Sequence, residues 1–188
     1  MKKNIFLILT VLSLTCKQSA KNKDPLEKEP LKKIETTDTI SRETEDLIIK
    51  TITEQYNLIN KNTGSYKSIE KNLDCDHCLE GASMEIWKDK NDVKKILAWY
   101  LGETWQSKDE YYFNNDSLIF VSEKNYKYQS IMNPVNARVK ENQYYFQKNK
   151  LIRMIDPKQD KVNTQDSLFI SKETELLKKA RDLQQKTK

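Results

Sequence analysis

An α+β domain is the fold class this sequence predicts: an N-terminal helix, an antiparallel β-meander of six or seven strands and a C-terminal helix, over residues 43–188. Three observations carry it. Ile48, Ile52, Tyr56 and Ile59 recur at helical spacing. The segment Tyr111-Tyr112-Phe113-Asn114-Asn115-Asp116-Ser117-Leu118-Ile119 returns 33 residues later as Tyr144-Tyr145-Phe146-Gln147-Lys148-Asn149-Lys150-Leu151-Ile152. Leu176, Leu177, Ala180 and Leu183 then trace a second helical stripe among lysines and arginines.

The first helix, residues 43–61, opens on Glu43, Glu45 and Asp46, whose carboxylates complement the positive end of a helix dipole. It ends near Asn62-Thr63-Gly64, where Gly64 can adopt the left-handed conformation that closes helices. Residues 65–73 supply a leading strand. Next comes a loose hairpin, with residues 84–87 and 93–101 as its arms. The two copies of the repeat are tighter hairpins. Aromatic and branched residues suit a pleated surface, and the central pairs Asn115-Asp116 and Lys148-Asn149 tolerate the positive φ of a two-residue turn. In plain register such turns set Phe113 opposite Leu118 and Phe146 opposite Leu151. Tyr111 with Phe120, and Tyr144 with Arg153, then share that face. Two copies separated by the irregular stretch 124–141 are too few for a solenoid, so one curved sheet of sequential hairpins is expected. Ser171, Glu173 and Glu175 start the last helix. Both helices can then cover one face of the sheet.

Composition limits what such a domain does. The chain has 188 residues, 37% apolar, with a formal net charge of +5. The apolar share lies below the ~45–50% of ordinary globular domains, which fits one domain with polar tails and excludes a polytopic membrane protein. Residues 43–188 hold 24 basic and 23 acidic residues, so the excess of positive charge belongs to the N-terminal segment and gives no argument for a nucleic-acid partner. One histidine and three glycines rule out, by supply, multi-histidine metal centres, Ser-His-Asp machinery and glycine-rich phosphate loops. No cofactor is called for.

The N-terminus carries an address. Lys2 and Lys3 precede an apolar run from Ile5 to Leu14, too short to span a hydrocarbon core and built like a secretion signal over residues 1–15. Leu12-Ser13-Leu14-Thr15-Cys16 resembles a bacterial lipobox, which implies that Cys16 becomes the lipidated first residue. Ser13 and Thr15 depart from that pattern, and cleavage near Ala20 is the other outcome. Residues 16–42, with two prolines and no apolar face, read as the lipidated cysteine and a disordered tether. The expected location is the bacterial cell envelope, at the outer membrane or a periplasmic face, with the bilayer as a partner through the N-terminal lipid.

Glu80-Gly81, Lys94-Lys95-Ile96, Gly102-Glu103, Glu110 to Phe113, Leu118 to Val121, Tyr144 to Phe146 and Leu151 to Arg153 together resemble a group of uncharacterised secreted or lipid-anchored proteins of Bacteroidetes-type bacteria. The resemblance covers residues 64–156 and rests on hairpin chemistry. It implies the envelope address and the meander, and it implies no activity.

Cys75-Asp76-His77-Cys78 is the most suggestive local feature, and it lies outside that pattern. In an oxidising compartment, with Cys16 removed or lipidated, Cys75 and Cys78 form an even pair and a short disulfide is expected. A metal site of Cys75, His77 and Cys78 is the competing reading, completed only by carboxylates. A redox role is disfavoured by the acidic neighbours Asp74, Asp76 and Glu80. Haem attachment fails because Leu79, not histidine, follows Cys78. Trp87, Trp99, Tyr100 and Trp105 are candidates for a sugar-stacking or peptide-binding surface, against the alternative of sheet core. Asp109 and Glu110 point to opposite faces of a strand and cannot act on one bond. Glu103 is a possible single acid or a solvated turn residue. The expected function is a non-enzymatic envelope protein whose curved sheet binds a small ligand or an envelope protein. The alternative is a metal or thiol-redox protein centred on Cys75, His77 and Cys78.

Overall fold

The computed structural model describes residues 42–128 and 137–187. The signal segment, Cys16 and the tether up to residue 41 lie outside the described residues. All described residues belong to one compact unit, Thr39–Lys188. Helix α1 (Arg42–Lys61) leads through a short 3-10 turn (Thr63–Ser65) into seven strands: β1 (Lys67–Asn72), β2 (Gly81–Asp89), β3 (Asp92–Gly102), β4 (Trp105–Asn114), β5 (Ser117–Lys127), β6 (Arg138–Gln147) and β7 (Lys150–Ile155). Helix α2 (Ser167–Gln185) follows. The strands form one antiparallel sheet in sequence order, so the protein is an α+β meander. Among the described residues, no helix is long and apolar enough to cross a membrane.

The helices lie on opposite faces of this sheet, not together on one as the sequence suggested. The α2 face packs Phe169, Leu176, Ala180 and Leu183 of the helix onto Ile86, Ile96, Tyr111, Phe113, Tyr144 and Phe146. The α1 face packs Ile52 and Ile59 onto Tyr112, Ile119, Phe120, Tyr145 and Ile152. Both faces are therefore core. Each fully buried large apolar side chain contributes roughly 1.5–3 kcal/mol, and the repeat distributes that burial. In each copy the first tyrosine, the phenylalanine and the leucine serve α2, while the second tyrosine and the isoleucine serve α1.

A β-bulge makes this division possible. Phe113 pairs with Leu118 and Phe146 with Leu151, as the plain register requires. One residue further the register slips, so that Tyr112 faces Phe120 and Tyr145 faces Arg153, leaving Ile119 and Ile152 as the extra residues. The expected pairings of Tyr111 with Phe120 and of Tyr144 with Arg153 are corrected accordingly: their partners are Val121 and Met154. A bulge puts two successive side chains on one side of the strand, and here Ile119 and Phe120 both reach the α1 core. The β2–β3 hairpin slips at the equivalent place, with Trp87 opposite Lys95 and Lys88 opposite Val93. The repeat turns have positive φ at both central residues, 48° and 61° at Asn115-Asp116 and 50° and 59° at Lys148-Asn149. This matches the mirror-image turns that follow strand twist.

Polar contacts lock the helices in place. Glu45 and Asp46 both pair with Arg153, and Lys161 adds a contact to Glu45 of 2.7 Å. Burial works against the Glu45 carboxylate, but Lys161 and Arg153 outweigh it and hold the group below its ordinary pKa. At the other end of α1, Asn60 Oδ1 accepts from Lys95 at 2.9 Å and from Tyr112 at 3.0 Å. Gly64 does not take a left-handed conformation; it sits in the 3-10 turn, and the glycine with positive φ is Gly81, at 96°. Helix α2 starts earlier than Ser171, capped by Asp166, whose carboxylate accepts from Leu168 N at 2.8 Å. The earlier start adds Phe169 to the core. At its C-terminal end Lys71 and Lys88 donate to the carbonyls of Lys186 and Thr187, placing cations where the helix dipole is negative.

Candidate functional site

The meander gives the sheet two unlike ends. At one, the two-residue turns 90–91, 115–116 and 148–149 sit beside the three bulges. At the other lie the tight turn 103–104, the connection 73–80, the end of β5 and the start of β6. Helix α2 packs across its face between them, with Glu173 accepting from Leu151 N and Gln184 donating to Asp116 O on the bulged side. On the other side of the helix a cavity of about 380 Å³ is left between α2 and the strand ends.

Its floor is a pair of carboxylates. Asp109 and Glu123 stand directly opposite each other on β4 and β5, and both are buried. Like charges facing across strands are unfavourable, so each needs a counter-ion, and α2 supplies both. Lys179 reaches Asp109 at 2.6 Å and Lys172 reaches Glu123 at 3.4 Å. The two lysines are seven residues apart, two helical turns, which puts them on one stripe. Burial pulls the Lys179 ammonium down and Asp109 more than reverses this, leaving its pKa above the ordinary value. Lys172 is also raised: burial opposes it, while Glu175 and Glu123 prevail. Each carboxylate also accepts from a hydroxyl, Asp109 from Ser107 and Glu123 from Tyr144, both at 2.7 Å. Burial and the Glu123 charge together push the Tyr144 phenol up. Behind them Tyr111 is fully buried, and its hydroxyl has no hydrogen-bond partner among the described residues. Burial raises this phenol well above its usual value.

The walls are aromatic. Tyr100 lies under the Lys179 ammonium, 4.5 Å from the ring centroid, and burial raises its phenol despite that cation. Trp105 lies against the backbone of its cross-strand partner Gly102. A Cβ there would come within 2.2 Å of the indole Nε1 and 2.4 Å of Cε2, so only glycine lets the ring settle in this position. The His77 ring, brought in by the 73–80 connection, lies 6.0 Å from the Trp105 ring at an interplanar angle of 17°. Asn125 adds an amide at the rim.

The 73–80 connection is closed by covalent and backbone links. Cys75 and Cys78 are bonded through their sulfurs, with Cα atoms 5.4 Å apart. Cys78 N donates to Cys75 O, Gly81 N to Cys78 O and Glu80 N to Leu101 O, tying the loop to β3. The positive φ of Gly81 is the conformation that turns this loop into β2. The donor atoms of Cys75, His77 and Cys78 lie within 4.8 Å of one another. A metal would need both sulfurs as thiolates, which a disulfide does not supply.

The four aromatic candidates are not one surface. Tyr100 and Trp105 line the cavity on the α2 face. Trp87 and Trp99 are on the α1 face, opposite Lys95 and Lys108 in register, with those ammoniums 5.3 Å from their rings. Glu103 is an exposed turn residue. Glu110 points away from Asp109 as expected and pairs with Lys95 at 2.7 Å. Burial would raise its carboxyl, but Lys95 and Lys108 hold it below the ordinary value. Sequence reading compared neighbours in one strand and so missed Asp109 with Glu123, which the β4–β5 register brings together. In the plain register Asp109 would face Ser122, and it is the β4–β5 bulge that moves it opposite Glu123; the signal left in the sequence was the seven-residue spacing of Lys172 and Lys179.

The chain matches no family model, no curated protein and no solved structure.

Proposed function

We propose that this chain is a lipid-anchored protein of the bacterial cell envelope, held by acylated Cys16, whose folded unit binds a small ligand in the cavity between α2 and the strand ends. The observation that carries the binding reading is the state of the cavity's charges. Asp109 and Glu123 are each paired with a lysine and hydrogen-bonded by a hydroxyl, which favours holding a ligand over acid–base chemistry, where a free proton donor or acceptor is required. The anchoring reading is supported by the signal-like run and by Cys16 at its end. The disulfide between Cys75 and Cys78 suits an oxidising compartment.

Comparing wild type with Cys16→Ala after fractionation of detergent-solubilised envelopes tests the anchor. Wild-type protein is expected in the membrane fraction with acyl mass, and the variant without it. A soluble wild type lacking acyl mass would overturn the anchor. A metal or thiol-redox role for Cys75, His77 and Cys78 is the second reading, favoured by the closeness of their donor atoms. A thiol count on the native protein separates the two: cysteines that react only after reduction support the disulfide, and retained zinc with free thiols supports the metal.

A further inference from the structure

We infer that the ligand of this cavity is a neutral pyranose sugar; the inference rests on the binding reading above and names its ligand class. The charge arithmetic comes first. Two carboxylates and two ammoniums line the cavity and are already joined pairwise. An anionic ligand meets Asp109 and Glu123, and a cationic one meets Lys172 and Lys179, so either must break an existing pair. A neutral ligand breaks none. What the cavity offers such a ligand is a ring of fixed donors and acceptors: carboxylate oxygens, ammonium N–H groups, the Ser107 hydroxyl and the Asn125 amide. Charged partners give stronger hydrogen bonds than neutral ones, and a polyol, whose every hydroxyl both donates and accepts, can use all of these types at once.

The second argument is the indole. Trp105 is half-buried, with the Nε1 side of its indole packed against Gly102 and the His77 ring near-parallel beside it. One contact is enforced by a missing Cβ and the other by a loop that the disulfide closes. An aromatic face held in this way costs no side-chain entropy when a ligand arrives, which is how preorganisation raises affinity. The C–H face of a pyranose is the apolar surface of an otherwise polar molecule, and it suits an aromatic plane bordered by hydrogen-bonding groups. The volume of about 380 Å³ lies at the small end of ligand sites, roughly 300–1,000 Å³, and suits one or two rings, not a long segment of polymer.

The test uses the full chain in detergent, probed with an array of neutral hexose and N-acetylhexosamine glycans. A parallel arm titrates the twenty free amino acids and follows tryptophan fluorescence. The expected result is capture by neutral glycans, weakened at least tenfold in Trp105→Ala and in Gly102→Ala, retained in Trp105→Phe, and unchanged in Trp99→Ala on the opposite face. Competition by excess free monosaccharide identifies a free sugar or chain end as the source; its absence identifies an internal segment of a glycan. Trp105-dependent binding of amino acids without glycan capture would overturn the sugar and leave the cavity reading standing. No binding in either arm, or glycan capture indifferent to both Trp105 and Gly102, would overturn both.

Discussion

The bulged end of the sheet and the open end are built from the same strands by different rules. At the bulged end, two-residue turns at 115–116 and 148–149 and the slips beside them send alternate apolar residues to α2 and α1, and the result is two dry cores. At the open end the same strands carry Ser107, Asp109, Glu123 and Asn125 on the α2 face, and the result is a polar cavity. The polar positions on β4 and β5 lie at the end where the 73–80 connection also sits.

If this division is right, the largest losses of stability come from the bulged end. Phe113→Ala and Phe146→Ala occupy equivalent places in the repeat and are each expected to cost about 3–5 kcal/mol, the range for buried phenylalanine truncations, measured by urea unfolding. Unequal costs for the two would break the equivalence of the copies. At the boundary between the two regions, Lys179→Met leaves Asp109 with Ser107 but no cation. A loss of about 2–3 kcal/mol is expected, reduced because the lysine is partly exposed, and adding Asp109→Asn should recover part of it in a double-mutant cycle.

Alkaline titration probes both regions together. The phenols of Tyr111, Tyr112 and Tyr144 and the ammoniums of Lys172 and Lys179 all have folded pKa values above their ordinary ones. Their contribution is complete below the unfolded values, near 10 for the phenols and 10.5 for the ammoniums, and is lost as pH rises through the folded values. Each such phenol contributes about 1.4 kcal/mol per pH unit between its two values. Tyrosine absorbance should therefore show these three phenols ionising together with loss of near-UV circular dichroism. Ionisation near pH 10 in an intact fold would contradict their burial. The smallest effect, and the opposite in sign, belongs to Tyr111→Phe. Removing a buried hydroxyl that has no partner among the described residues should leave stability unchanged or raise it by about 1 kcal/mol, whereas Tyr144→Phe loses its bond to Glu123 and should lower it by a similar amount.

The difference between the ends also explains what could be read from the sequence. Hairpins, helix stripes and the Phe113–Leu118 and Phe146–Leu151 pairs depend on contacts within about ten residues, and all were visible. The bulges were not, because Leu118-Ile119-Phe120 reads equally well as a regular strand until two separate cores compete for its side chains. Without the bulges, one apolar face sufficed and both helices were assigned to it. Asp109 with Glu123 escaped because the same bulge sets their register, and Asp109 with Lys179 because an ion pair between a strand and a helix 70 residues away depends on how α2 crosses the sheet, which no local pattern encodes. Trp105 was named, but its link to Gly102 is a matter of van der Waals distance, silent in the letters.

The strictly sequential strand order has a kinetic consequence. Every strand pairs only with its neighbours in the chain, so the sheet can zip through short loop closures, which are fast for a β-rich protein. Helix α1 is the exception. It emerges first, yet its partners are Tyr112, Phe120 and Tyr145, so its apolar stripe stays uncovered until β4, β5 and β6 have formed. A chain made N-terminus first thus exposes that stripe for longer than its other apolar segments.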